Sequence, residues 1–252
     1  MDPVVIALQQ QQAELSNLLE SLSEPDWGLP TRCEGWDVSD VVLHLAQTDE
    51  MAIASATGHL SDYASGLPSG LLGLNGSIDD AAARLVEYER GSPTAELRER
   101  WSSGAARLIG IFDTMDLSSR VTWVAGELSA RTLATTRIAE TWIHSGDVAS
   151  AVGRTLAATD RLQFVARLAW RTLPYAFASV GRQMTGPVAF RLESPSGEQW
   201  DFVPQEKALT TISGPASELC SVAARRVEAA ATSLRGEGPD AGSVLSLVRT
   251  YA

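Results

Sequence analysis

Residues 138–153 read IAETWIHSGDVASAVG, and the reading of this stretch decides the fold. The segment is mostly small and apolar. Ser129 upstream suits an N-cap and Gly153 a helix end, so a single long helix is predicted over about 130–153. Glu140 and His144 stand four residues apart on it, one turn apart on one face. The chain holds only three histidines. A Glu-x-x-x-His pair offers one oxygen and one nitrogen from a single helix, which is how inward side chains of helical bundles build metal sites. The spacing alone also fits an ordinary helix-surface pair, worth roughly a few tenths of a kcal/mol.

A third ligand has to come from another helix. His44 sits in VVLHLA, flanked by Val42, Leu43 and Leu45. A charged imidazolium is costly in such surroundings, whereas a neutral ring bound to metal or hydrogen-bonded is not. His44, Glu140 and His144 together make a His₂Glu set with an open position, the pattern of a catalytic zinc site. Asp40, four residues before His44, and Asp147, three after His144, are placed to hold the imidazoles from behind. His44 taken alone also suits a hydrogen-bonded core histidine. His59 lies in a Gly/Ser-rich segment and is assigned no role.

The pattern on either side is helical up to about residue 155. Val4, Leu8, Leu15, Leu18, Leu19 and Leu22 form a stripe over 3–22, with Gln11 its one polar member. SEPDWGLPTRCEGW reads as a loop. Asp37 and Asp40 suit a capping box for a helix from Val38 to Gly58. The next twenty residues read as a loop with at most a short helical turn. A helical piece follows over 78–90. Ser92-Pro93 suits an N-cap with proline at the first position of a helix running to about 115, and DLSSRVTWVAGE reads as irregular with a short extended piece. Beyond GRTLAATD a helix over about 160–180 is expected to bend at Pro174. Short alternating runs then appear, the first two joined by a hairpin signal, PSG. Helical stretches near 215–233 and 240–251 end the chain. A helical half followed by a mixed half predicts two domains, with a boundary near 154–160.

The bulk numbers exclude some functions. A net charge of −11 argues against nucleic acid or an anionic membrane as partner, since both call for a basic surface. The N-terminus lacks the basic and apolar regions of a signal peptide, and no run approaches ~18 apolar residues. Cys33 and Cys220 are far apart and make neither a metal-type pair nor a disulfide framework. A cytoplasmic, reduced setting is the expectation. Gly35-Trp36 before the helix start reads as a hydrophobic staple, and Trp123 and Trp142 fit a pocket lining or, more commonly, the core. Cys33 beside Arg32 is a candidate for a lowered thiol pKa, which Glu34 opposes. Neither a phosphate-binding glycine loop nor a G-x-S-x-G elbow is present.

Three segments carry a family resemblance. WGLPTRCEGWDVSDVVLHLAQTDE (27–50) resembles the N-terminal signature of the mycothiol-dependent maleylpyruvate isomerase-like proteins, and AETWIHSGDVASAVG (139–153) resembles their second signature. VAFRLESPSGEQWDFVP (188–204) with ISGPASELCSVAARR (212–226) looks like the smaller, sterol-carrier-protein-like α+β domain that often follows. The resemblance implies a mainly α chain: a DinB-like four-helix bundle over 1–156, then an α+β domain over 157–252. It implies one divalent metal, zinc by the donor set, on His44, Glu140 and His144. It further implies mycothiol, or a similar low-molecular-weight thiol, as cofactor or transferred group, with the metal presenting its sulfur as a thiolate.

The expected function is therefore metal-dependent S-transfer, or thiol-assisted isomerisation of a small electrophilic substrate. Arg225 or Arg226 is a candidate for binding an anionic group of that substrate. In this reading the nucleophile is a thiolate or water at the metal rather than a side chain. Two other readings fit the same residues: a metal-water hydrolase, lyase or cyclase without thiol, and a non-catalytic metal-binding module. Structural zinc is normally closed by four protein ligands, which counts against the last.

Overall fold

The computed structural model describes residues 1–68, 71, 78–124 and 126–250. The chain divides into two compact units, Met1–Leu156 and Ala157–Ala252. The first is built on four long helices: α1 (Pro3–Glu20), α2 (Val38–Ala56), α5 (Thr94–Thr114) and α6 (Ala130–Ala151). Two shorter ones, α3 (Leu60–Gly66) and α4 (Ile78–Glu89), lie in the connection between α2 and α5. α2 packs on α5 and α6, and α1 packs on α6 and α5.

Local chemistry starts three of these long helices. Asp2 accepts the Val4 N–H at 3.0 Å and Pro3 opens the first turn of α1. Asp37 accepts from the Asp40 N–H at 2.9 Å and Asp40 accepts from the Asp37 N–H at 3.2 Å, which completes the capping box of α2. Ser129 caps α6 through the Thr132 N–H. The α1 stripe from Val4 to Leu19 is buried, and so is Gln11, which donates to Glu14 at 2.9 Å. On α2 and α6 burial reaches well past the apolar residues. Asp40, His44, Gln47, Asp49 and Ser55 on α2, and Arg137, Glu140, Thr141, His144, Ser145 and Asp147 on α6, are all buried. Burying so many polar groups is costly unless they satisfy one another or a ligand.

The second unit holds a four-stranded sheet in the order β4-β3-β5-β6, from β3 (Val188–Glu193), β4 (Gln199–Phe202), β5 (Thr210–Pro215) and β6 (Arg235–Glu237). β3 and β4 form the hairpin expected at PSG, with Phe190 opposite Phe202. β5 runs parallel to β3 and antiparallel to β6. Helices α7 (Leu162–Arg171), α8 (Leu173–Ala178), α9 (Ala216–Ala223) and α10 (Ala241–Leu247) complete the unit, with α7 packed on α9.

Several boundaries differ from the expectations. Residues 24–28 of the predicted loop form a 3₁₀ turn, because Ser23 and Asp26 cap it reciprocally and Pro25 opens it. α5 starts at Thr94 rather than at Pro93, whose ψ of 142° is extended. The irregular stretch is a hairpin, β1 (Arg120–Trp123) with β2 (Gly126–Ser129). The helix over 160–180 is broken at Thr172 rather than bent, since Pro174 can open a new helix more easily than continue an old one. The helix near 215–233 stops at Ala223. There Arg226 N–H bonds back to Ser221 O and Arg225 turns left-handed at φ 60°, closing it in the Schellman manner. The last helix ends at Leu247. Of the predicted loop after Gly58, residues 69, 70 and 72–77 lie outside the described residues, and so does the chain end at 251–252. No helix among the described residues is long and apolar enough to cross a membrane.

Candidate metal centre

Two helices supply the centre. α2 presents His44, and α6 presents Glu140 and His144 from successive turns of one face. Glu140 Oε2 lies 3.3 Å from His44 Nε2 and 3.6 Å from His144 Nε2. The two rings meet edge to face, with centroids 5.0 Å apart. All three residues are buried, and one donor atom from each lies within 4.8 Å of the others.

The electrostatics suit a cation. Burial alone would raise the Glu140 pKa, but its hydrogen bonds to His144 and His44 and the charge of Arg137 outweigh it and hold the carboxyl well below the usual range. Burial lowers the pKa of His44. Burial also acts downward on His144, yet contacts with Asp147, Cys33 and Glu140 overcome it and raise this imidazole well above its ordinary value. The pocket thus stabilises positive charge at the His144 edge. Donors on one tetrahedral zinc-like ion, at bond lengths of about 2.0–2.2 Å, sit roughly 3.3–3.6 Å apart. The observed 3.3 and 3.6 Å from Glu140 to the two imidazoles match two of the three edges of that set, and the third lies within 4.8 Å.

The surroundings sort the other candidates. Asp147 Oδ2 lies 3.0 Å from His144 Nδ1, which aims Nε2 at Glu140. Asp40 does not take the matching place behind His44. Its carboxylate accepts from the Asp37 N–H and from Arg90 Nε and Nη2 at 2.8 and 2.9 Å, because the capping role turns it toward the helix start. Arg90 Nη2 also donates to Gly35 O at 2.9 Å, tying the 33–37 loop to α2 and α4. Trp36 on that loop faces the His44 ring at 5.1 Å, so it does more than staple the helix start. Arg225 and Arg226 lie in the second unit at the end of α9, where Arg225 donates to Ser246 O and Arg226 to Ala224 O. His59 is exposed beside Asp62.

Three residues near the centre are missing from the sequence-derived site. Cys33 Sγ stands 3.9 Å from His144 Nδ1 and 3.5 Å from Asp147 Oδ2. Arg137, one turn before Glu140, pairs with Asp49 at 3.8 Å, both fully enclosed. Burial pushes the Asp49 carboxyl up to about 7 against the pull of Arg137. Arg137 also lies over the Trp123 ring at 5.6 Å. The usable signal was Arg137 at i−3 from Glu140 on a face already assigned to the interior.

A buried His₂Glu cluster in a four-helix bundle, followed by an α+β unit, defines a DinB-like helical protein. Residues 8–149 match the family described as mycothiol maleylpyruvate isomerase N-terminal domain. The chain belongs to that family. It is 30% identical over 253 residues to an uncharacterized protein of Mycobacterium tuberculosis, found in strains CDC 1551 / Oshkosh and H37Rv, covering 99% of this chain and 95% of the relative. It has the fold of a crystal structure of the mycothiol-dependent maleylpyruvate isomerase, with a TM-score of 0.61 at 19% identity over 94% of each chain. A mutant form of that isomerase superposes with a TM-score of 0.59 at 20% identity, over 89% of this chain and 88% of the other.

Proposed function

We propose that the chain is an enzyme whose divalent-metal centre is held by His44, Glu140 and His144. It uses mycothiol, or a similar low-molecular-weight thiol, in isomerisation of, or S-transfer to, a small electrophilic substrate. The observation that carries this reading is the convergence of three buried donors within 4.8 Å of one another, Glu140 standing 3.3 and 3.6 Å from the two imidazoles, in a chain of this family. A divalent ion bound there supplies Lewis acidity that lowers a thiol's pKa and makes a thiolate available at neutral pH.

The protein's own residues do the positioning. Glu140 and the two Nε2 atoms form one three-point set, and Asp147 fixes the orientation of the His144 ring. Trp36 covers the His44 ring, and Arg90 holds the loop that carries Trp36. Arg137 places a positive charge one turn from Glu140 and favours its ionised form. Three protein ligands leave the coordination that a substrate or thiol needs.

Metal analysis of wild type and His144→Ala tests the ligand set: about one ion per chain at this centre is expected in wild type and little in the variant. Undiminished metal in the variant defeats the assignment. Incubating metal-loaded protein with mycothiol and an electrophile, with mass spectrometry for thiol adducts, tests the thiol. If metal-loaded protein fails to bind thiol, the thiol reading falls and the metal-water and non-catalytic readings remain.

A further inference from the structure

His144 turns its two ring nitrogens toward two separate groups of donors. Nε2 faces Glu140, the side shared with His44. Nδ1 faces Asp147 Oδ2 at 3.0 Å and Cys33 Sγ at 3.9 Å, and these two lie 3.5 Å from each other. Asp147 behind a metal-binding His is an ordinary orienting contact. A sulfur within reach of both atoms is not explained by that role.

The second group has the dimensions of a metal site. Sulfur, nitrogen and oxygen donors on one tetrahedral ion, at about 2.3, 2.0 and 2.1 Å, are separated by roughly 3.3–3.6 Å. Closing the observed triangle around an ion therefore takes shifts of a few tenths of an ångström. His144 and Asp147 are fixed on one turn of α6 and are 5% and 1% exposed. Cys33 is held by its N–H donating to Thr31 Oγ1 at 3.1 Å, in a loop closed by the Pro30–Asp37 bridge and by Arg90. Its half-buried side chain also lines a cavity of about 550 Å³ with Thr31, Trp36, Asp40 and Arg90. Through Cys33 the cavity reaches one edge of the group.

We propose that Cys33, Asp147 and Nδ1 of His144 form a second cation site, back to back with the His44–Glu140–His144 cluster and bridged to it by the His144 ring. A thiolate, an imidazole nitrogen and a carboxylate select a thiophilic divalent ion such as zinc, cobalt or cadmium over magnesium or calcium. Binding displaces the protons on Sγ and Nδ1 to solvent, so each ion bound there releases up to two protons. The site needs neither a thiol cofactor nor the proposed reaction.

Cobalt(II) titration of the full-length apo protein tests it, reading bound-metal stoichiometry and thiolate-to-cobalt charge-transfer absorption. Wild type is expected to take two ions and to show the absorption band. Cys33→Ser should bind one ion and lose the band. His44→Ala should keep the band, which separates failure of this site from failure of the first. Cys220→Ser should also keep it, since Cys220 is buried in the second unit with its thiol pKa raised. If Cys33→Ser fails to fold, Asp147→Asn, which retains the thiol, should weaken the band. No band in wild type, a band surviving in Cys33→Ser, or a band unaltered by Asp147→Asn would each overturn the proposal, whereas a single ion carrying a Cys33-dependent band supports it and counts against the first site alone.

Discussion

Asp49 lets the interior of the first unit be probed by pH. It is fully enclosed, its partner Arg137 is 3.8 Å away, and neither of its oxygens has a hydrogen-bond partner among the described residues. Its carboxyl is pushed from 3.8 up to about 7. In the unfolded chain this group loses its proton near pH 4, while in the folded chain it keeps it to near pH 7. Between those values the folded state binds more protons, so stability falls as pH rises, and the loss is complete above about pH 7. Asp49→Asn keeps the shape and removes the titration. Two pH units between 5 and 7, at about 1.4 kcal/mol each, amount to about 3 kcal/mol. The stability of the Asp49→Asn variant relative to wild type is thus expected to improve by about 3 kcal/mol on going from pH 5 to pH 8. Urea unfolding of metal-free wild type and variant at both pH values measures the swing. The comparison cancels other titrating groups, including Glu140, whose depressed pKa acts in the opposite direction. A swing below about 1 kcal/mol would show that Arg137 ionises Asp49 fully, and the buried pair would have been misjudged.

Other outcomes follow from the same geometry. Asp147→Asn removes the carboxylate behind His144 and should weaken metal binding about 10- to 100-fold by competition with a chromophoric chelator; unchanged affinity would mean that the 3.0 Å contact does not orient the ligand. Arg225→Gly relieves a left-handed residue at φ 60° and should raise stability by up to about 1 kcal/mol in thermal unfolding; destabilisation would mean that the bond to Ser246 O outweighs the strain. Leu45→Ala, at a fully buried position beside His44, should cost about 2–5 kcal/mol in urea unfolding.

Legibility in the sequence tracked the range of the signal. The α2 capping box, the Ser129 cap and the PSG hairpin depend on residues a few positions apart and read correctly. The end of α9 did not, because a left-handed arginine there replaces the glycine that normally announces such a stop. Asp40 misled for a related reason. Its i−4 spacing from His44 suggested a contact, but a capping bond and Arg90, fifty residues away, occupy its carboxylate. The β1–β2 hairpin was too short to show a clear alternation.

The sequence by itself determined the helical elements, the α+β character of the second half, and the placing of Glu140 and His144 on one face, because caps and periodicity act through neighbours along the chain. Only the tertiary structure decided which distant groups meet those residues. Cys33 reaches His144 across 111 positions and His44 reaches Glu140 across 96. Arg137 finds Asp49 on another helix. Such meetings are set by how α2, α6 and the 33–37 loop pack, and the burial that packing imposes is what shifts the charges of the groups it brings together.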